Sequence, residues 1–457
     1  MSRFFHKPVL GLVLAVFPLV STPAFAQSLT DALIAAYTNS ATLKLQRATL
    51  RSTDEGVAQA IAAKRPTLTA TLTNSASYAT AGNTSTLNTA MALSSTLNLW
   101  DGGASDLAIE IAKISVASGR DGLLSSEQSV LLAAATAFLD MRRDEAFLRL
   151  AENNVRVLNR QVQAARDRFD VGEARRTDVN LAEAAAAAAL ANLALRQGTL
   201  EISRAAYFTA TGTYPGSLKT PPPQPKVPAT VDAAFAIAQR SHPAILQAQK
   251  AAEIAKLNIY RAEAAMKPSL AASGSLTVNS KSTSGDVVAL SITGTLPISQ
   301  GGRLTSLYRQ SVAGHEQALA NIQLAGLQVK QTVTGAFAQL QIARASITAQ
   351  QKQVRASRVA LRGIREEAEL GARSTLDVLN SEQDLVTAES NLVDAQRNEY
   401  VAVYTLLSAM GLLTVEHLGL GVRTYDTNAN YKKVSDAPGP TDRGKLLNKI
   451  FTRAGKK

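Results

Sequence analysis

Cysteine is missing from all 457 residues. Disulfides, thiol chemistry and a lipid anchor on cysteine are therefore excluded. Aromatic residues are scarce, at 5% with a single tryptophan, although 46% of the chain is apolar. Apolar surface must come from Ala, Leu and Val, which suits long, closely packed helices better than a thick globular core. Histidine is also rare. His6, His242, His315 and His417 are scattered, and no HExxH, nucleophile elbow or Walker pattern accompanies them. The sequence thus offers no catalytic residues, no metal ligands and no cofactor motif. Energy for any transport would have to come from a partner.

The first 26 residues read as a secretory signal: Arg3 and Lys7, an apolar run from Val9 to Val20, then Ala24-Phe25-Ala26. No later stretch approaches the ~18 uninterrupted apolar residues of a spanning helix, so a membrane role would rest on strands. Net charge is +12, or +10 without Arg3 and Lys7. Residues 424–457 carry eight Lys/Arg against three Asp, so the tail holds half of that excess. The tail has no stacking aromatics interleaved with its charges, which speaks against nucleic acid as a partner. Residues 436–457, rich in turn formers and without apolar periodicity, are expected to be disordered.

What is present is a duplication. Leu29-Thr-Asp-Ala-Leu matches Val231-Asp-Ala-Ala-Phe, and Lys64-Arg-Pro66 matches Met266-Lys-Pro268, both at an offset of 202. Leu97-Asn-Leu-Trp-Asp-Gly102-Gly103 matches Leu296-Pro-Ile-Ser-Gln-Gly301-Gly302 at 199. A Pro-rich run, Lys219 to Pro228, joins the halves as an extended connector. Each half opens with a helical segment, 29–64 and 231–266, and then changes to period two. Thr67, Thr69, Thr71, Thr73, Ser75 and Ser77 alternate with Leu68, Ala70, Leu72, Asn74, Ala76 and Tyr78, and 89–100 continues after the Gly82 loop. Leu270, Ala272, Leu276 and Val278 repeat the pattern, as do Val288, Leu290 and Ile292 across the 281–285 turn. One face is apolar and the other small and hydroxylic, as in transmembrane barrel strands.

Gly102-Gly103 and Gly301-Gly302 mark the bend from strand into a long helix. Leu148, Val155, Val162 and Phe169 recur every seven residues, with Ala151, Leu158 and Ala165 three further on. Val333, Leu340, Ile347, Val354, Leu361 and Ala368 repeat this, and Ala388, Ala395, Ala402 and Ala409 let the returning helix approach closely. A helix over 104–170 would be about 100 Å long at ~1.5 Å per residue, a strut rather than a globular element. Each strut ends at a similar tip, Gly172 to Asp178 and Gly371 to Asp377, with the glycines as hinges and Thr177 and Asp178 as caps. Four strands leave two edges unpaired in lipid, so the chain must oligomerise. Three copies, with twelve strands, are the simplest closed solution.

Together, the duplicated plan, Leu99-Trp-Asp-Gly-Gly, and Arg168-Phe-Asp-Val-Gly-Glu-Ala-Arg-Arg-Thr-Asp-Val resemble the TolC family of outer-membrane channel-tunnels. Gly411-Leu-Leu-Thr-Val-Glu-His-Leu-Gly, with Tyr425, Asp426 and Tyr431, is similar to the branch serving type I secretion. The resemblance implies a mixed α+β membrane protein: a trimeric 12-stranded β-barrel with four strands per chain, continued by a long α-helical coiled-coil periplasmic tunnel. Signal, repeats, linker, equatorial segment and tail would occupy 1–26, 27–212 and 231–412, 213–230, 413–435 and 436–457. The hairpins fall at about 66–100 and 268–298, and the tips at about 170–178 and 369–377.

The family further implies a homotrimer in outer-membrane lipid, docked through a periplasmic adaptor to an inner-membrane ABC or proton-driven pump. Drugs or proteins would pass through a passive duct closed at its periplasmic end. Thr177, Asp178, Arg373 and Asp377 stand at the family's gate positions. Asn380 replaces an expected second aspartate and Ala368 an expected tyrosine, which makes the closed end less charged and less tied. Trp100 is a candidate interface anchor. A soluble periplasmic coiled-coil adaptor is the alternative, and the Ser/Thr-alternating strands argue against it.

Overall fold

A computed structural model describes residues 27–80, 84–279 and 286–435. The expected signal, the tail from 436 for which disorder is expected, and the central residues of both hairpin turns lie outside the described residues. Two short helices, α1 (Leu29–Asn39) and α2 (Ala41–Ala62), lead into β1 (Thr67–Ala79) and β2 (Thr84–Trp100). The strut α3 (Ala104–Asp170) then runs to the first tip, and α4 (Arg176–Thr211) returns. The second half repeats this order with α5 (Val231–Ser241), α6 (Pro243–Ala264), β3 (Ser269–Asn279), β4 (Val287–Thr295), α7 (Arg303–Glu369) and α8 (Thr375–Ala409). A short α9 (Asn428–Val434) packs on α2, where Asn430 donates to Asp54 at 2.9 Å.

The struts are as long as the heptads require: α3 and α7 each have 67 residues. The opening segments differ from expectation, since each is broken once, at Ser40 and at His242. Both residues leave the helical region, with ψ of 124° and 122°, and each caps the helix that follows. Ser40 Oγ accepts from the Leu43 amide and His242 Nδ1 from that of Ala244. The breaks keep the offset of 202, so the kink is itself duplicated.

The four strands form one antiparallel sheet in the order β1-β2-β3-β4. Its register decides which side chains share a face. Ala70 opposes Leu93, which opposes Leu276, which opposes Val288; Met91 opposes Val278, and Ala272 opposes Ile292. Most large apolar residues of the four strands therefore lie on one side, where Leu72 is 73% and Leu290 87% exposed, while Val287, opposite Thr277, is on the other. Thr69, Ser94, Ser275 and Ala289 lie on the other, where Ser273 and Ser291 share a hydrogen bond at 2.7 Å. A shift in register between Asn98 and Trp100 places Trp100 opposite Leu270 of the apolar face.

The helices keep the same lateral order. Above the middle, α2, α3, α6 and α7 neighbour one another in sequence; towards the tips, α4, α3, α8 and α7 do. The chain is a ribbon four elements wide, with β1, α2 and α4 on one flank and β4 and α7 on the other. Among the described residues both sheet edges are unpaired. The helical flanks carry exposed apolar residues, Leu195 and Ile202 on α4 and Leu327 and Ile342 on α7. Windows in α3 and α4 are apolar enough in composition for a membrane helix, a property the uninterrupted-run criterion had not registered. Ala184 to Ala189 supply much of that character in α4, and both helices are arms of one packed hairpin.

Burial is uneven along the ribbon. The main core lies at the level of α1, α5 and α9, with Leu43, Leu131, Phe138, Met141, Tyr207, Leu340 and Leu407 fully enclosed. Near the first tip the cluster shrinks to Leu158, Val162, Leu379 and four alanines, Ala165, Ala182, Ala186 and Ala189. A buried Leu contributes about 1.5–3 kcal/mol and an alanine far less, so the distal ends are the weakly held part.

Candidate functional site at the helix tips

Both tips are built by the same backbone device. After α3, Gly172 takes φ 81°, its amide bonds to Phe169 O at 3.0 Å, and the Glu173 amide reaches back to Arg168 O at 2.8 Å. After α7, Gly371 takes φ 78°, with Gly371 N on Ala368 O and Ala372 N on Glu367 O. These paired bonds close a helix through a left-handed residue, which glycine adopts without strain. A Cβ at either glycine would meet nothing within 4 Å, so dihedral angle alone demands glycine there.

The returning helices start on acidic residues, though not quite as expected. Ser374 caps α8: its amide and hydroxyl donate to Asp377 Oδ2 at 3.0 and 2.7 Å, and its Oγ accepts from Asp377 N at 3.2 Å. In α4, Arg175 takes the cap position and donates its amide to Asp178 Oδ2 at 3.0 Å. Asp178 therefore caps from the third helical position, as Asp377 does. Thr177 lies inside the first turn, exposed, and is not the cap that its sequence position suggested. Arginine has no acceptor, so the first tip has only half of the reciprocal pair. The Ser374 bonds hold the Asp377 carboxyl below the usual carboxylate range, with the Arg373 charge adding a smaller push.

Within one chain the Arg373 Nε donates to Glu367 at 2.8 Å. That bond raises the Arg373 pKa further. Its side chain is half exposed. Asn380 is exposed and lines a groove of about 610 Å³ between the hairpins, together with Leu158, Ala185, Ala189, Leu379 and Asp394. Ala368 is half-buried on the strut.

At the opposite end of the struts the paired glycines are all left-handed: Gly102 at 69°, Gly103 at 94°, Gly301 at 58° and Gly302 at 82°. Gly102 is constrained twice over, because a Cβ there would sit 2.9 Å from Ala264 O. The other three have open space.

One constellation escaped the sequence reading. Arg166 reaches Glu183 across the first hairpin at 2.5 Å, and Arg365 pairs with Glu382 across the second. Both residues shift by 199, the offset of the tips, so this cross-hairpin clamp is part of the duplication. Glu382 is almost fully buried whereas Glu183 is not, and Arg358–Glu389 adds a second rung to the later hairpin. The matching offsets would have exposed the pair from sequence, had charged residues flanking each tip been compared.

Comparison with known proteins agrees with this architecture. The family model described as outer membrane efflux protein matches residues 33–213 and again 236–412, one match per half. The outer membrane efflux protein BepC of Brucella suis biovar 1 is 34% identical over 423 residues, covering 92% of each chain. The outer membrane protein TolC of Escherichia coli K12 is 26% identical over 320 residues, covering 64% of each. Among solved structures, CusC superposes with a TM-score of 0.74 at 20% identity, over 84% of this chain and 92% of that one.

Proposed function

This chain belongs to the outer membrane efflux protein family, and we propose that it serves as the gated exit duct of a tripartite pump. The family makes the protein an outer-membrane efflux channel and not an enzyme. Its fold is that of the channel-tunnels, in which three four-strand ribbons complete a barrel above a helical tube. The reading of a soluble adaptor has no place in that family. The observation that carries the membrane assignment is the register, which gathers the large apolar strand residues, Val287 excepted, onto one exposed face, while among the described residues both sheet edges stay unpaired.

The finer reading concerns the periplasmic end. Asp178 uses one carboxylate oxygen for its own helix, and Arg373 uses only Nε for Glu367. An Arg373 guanidinium has five donors, so its terminal nitrogens are available to the Thr177–Asp178 tip of a neighbouring copy. Gate links of this kind form between chains rather than within one, and three of them ring the axis. The Asp377 carboxylates beside them favour cations. A periplasmic adaptor engages the Ala-floored groove, and an inner-membrane ABC or proton-driven pump supplies the energy. The segment from Gly411 to Tyr431 favours the type I secretion branch. Replacing Arg373 by Ser should raise single-channel conductance in planar bilayers and sensitise cells to large antibiotics without loss of trimer. Wild-type conductance in that variant would reduce Arg373 and Asp178 to solvated tip charges.

A further inference from the structure

A second site lies far from the tips, where the Pro-rich strap crosses the struts. Arg142 is 28 residues before the end of α3, about 42 Å at ~1.5 Å per residue. There α3, α7, α8 and Thr220-Pro221 enclose a pocket of about 520 Å³ with four guanidiniums, Arg142, Arg143, Arg149 and Arg397, on its walls. Two of these are already committed. Arg143 pairs with Asp144 at 2.8 Å and Asp140 at 3.2 Å, and Arg397 with Asp140 at 2.7 Å. The rim acid Glu399 is held by Arg344 at 3.4 Å. Arg142 and Arg149 make no ion pair among the described residues. Glu145, one turn from each on the same helix, offsets part of their charge without reaching within 4 Å of either. Burial pulls the Arg142 guanidinium below its usual range, the sign of a cation held away from water without a close counter-charge.

We propose that this pocket docks an acidic segment of a partner protein, two carboxylates of which engage Arg142 and Arg149. Three features select a peptide over a lone small anion. The two arginines lie two helical turns apart, about 10.5 Å along α3, which matches acids three residues apart on a polyproline-II segment, where one turn of about 9.3 Å puts both on the same face. Between them the floor is apolar, with Ala146, Pro221, Val393 and the Tyr400 ring, and would cover the residues between those acids. The seam also lies in the middle of the ribbon, so lateral closure through the α4 and α7 flanks leaves it open. This docking is independent of the gate, because the tips take no part in it.

The probe is a fluorescein-labelled decapeptide with Glu at positions 4 and 7 in a Ser/Pro/Leu background, titrated by anisotropy against the full-length trimer in detergent. Binding should weaken at least tenfold in Arg142→Gln/Arg149→Gln and stay unchanged in Arg160→Gln, an exposed arginine elsewhere on α3. A peptide of equal charge with adjacent Glu residues should bind several-fold more weakly. Arg149→Gln alone, at the exposed end of the pocket, keeps the test should the double variant fail to assemble. Equal affinity of variant and wild type, or of the two acidic peptides, would overturn the proposal. So would displacement of the peptide by inorganic phosphate at matching concentration, which would mark a small-anion site.

Discussion

A charge placed on either face of the sheet tests the membrane reading directly. Leu290 sits near the middle of β4, 87% exposed on the apolar side, and Ser291 follows it on the hydroxylic side. Leu290→Arg would put a guanidinium in hydrocarbon at a cost of about 2–4 kcal/mol near the bilayer midplane. Every copy carries the change, so a closed trimer meets it three times, about 6–12 kcal/mol in all. Ser291→Arg loses the hydroxyl contact with Ser273, about 1 kcal/mol, and otherwise faces water. The assay is the yield of heat-modifiable trimer in outer-membrane fractions. Leu290→Arg should lower it more than tenfold and Ser291→Arg less than threefold, while the latter shifts the open channel toward anions. Equal yields from the two variants would mean that these strands do not cross a bilayer, whatever their alternation.

The flanks should behave as interfaces: Ile202→Glu or Leu327→Glu, both exposed in a single chain, should leave the subunit folded but reduce trimer in analytical ultracentrifugation. The clamps should differ in weight. Glu382→Gln leaves Arg365 without its partner and should cost about 1–2 kcal/mol, whereas Glu183→Gln, in an exposed pair, should cost under about 0.5 kcal/mol. Hydrogen exchange at the two tips would rank them. Gly102→Ala should lower assembly more than Gly301→Ala, since only the first also meets a carbonyl oxygen. Finally, burial lowers the His242 pKa, so its neutral cap on α6 stabilises the fold above the ordinary value of 6.5 and is lost as pH falls through the lower folded value. His242→Asn should flatten that acid-side loss in melting curves.

Long-period features were legible in the sequence because each depends on many residues. The alternation over 67–78 and 270–278 gave the strands, and seven-residue spacing gave struts that end within a residue of Asp170 and Glu369. Single side-chain choices were not. Whether Thr177 or Arg175 stands at the start of α4 depends on two residues of phase. The choice of Glu367 as the intrachain partner of Arg373 depends on a single rotamer. The break at His242 was within reach, since Pro243 bars a regular amide bond there, and its echo at Ser40 lies at the known offset. Ser40 has no such marker of its own.

The distribution of packing suggests where the duct bends when it opens. Arg143, Asp144, Asp140 and Arg397 tie α3 to α8, and Ser203 bonds Asp144 to bring in α4. Asp144 and Ser203 are buried between α3 and α4, and the tie from α3 to α8 is the part-buried Asp140–Arg397 pair. Below that knot the hairpins meet across the Ala-floored groove, and what holds them together is mostly Leu158, Leu379 and small residues. Each hairpin is meanwhile clamped internally, by Arg166–Glu183 or Arg365–Glu382. If the tips close the duct as proposed, the least costly opening keeps both hairpins whole, pivots the α7–α8 pair about the knot, and breaks only the proposed inter-copy tip contacts of ~1–3 kcal/mol each. A bend placed within a strut would instead break several backbone hydrogen bonds and a clamp. On that reading the pivot belongs at the level of Asp144, roughly 26 residues or ~39 Å above the first tip, with the tip glycines shaping the turn.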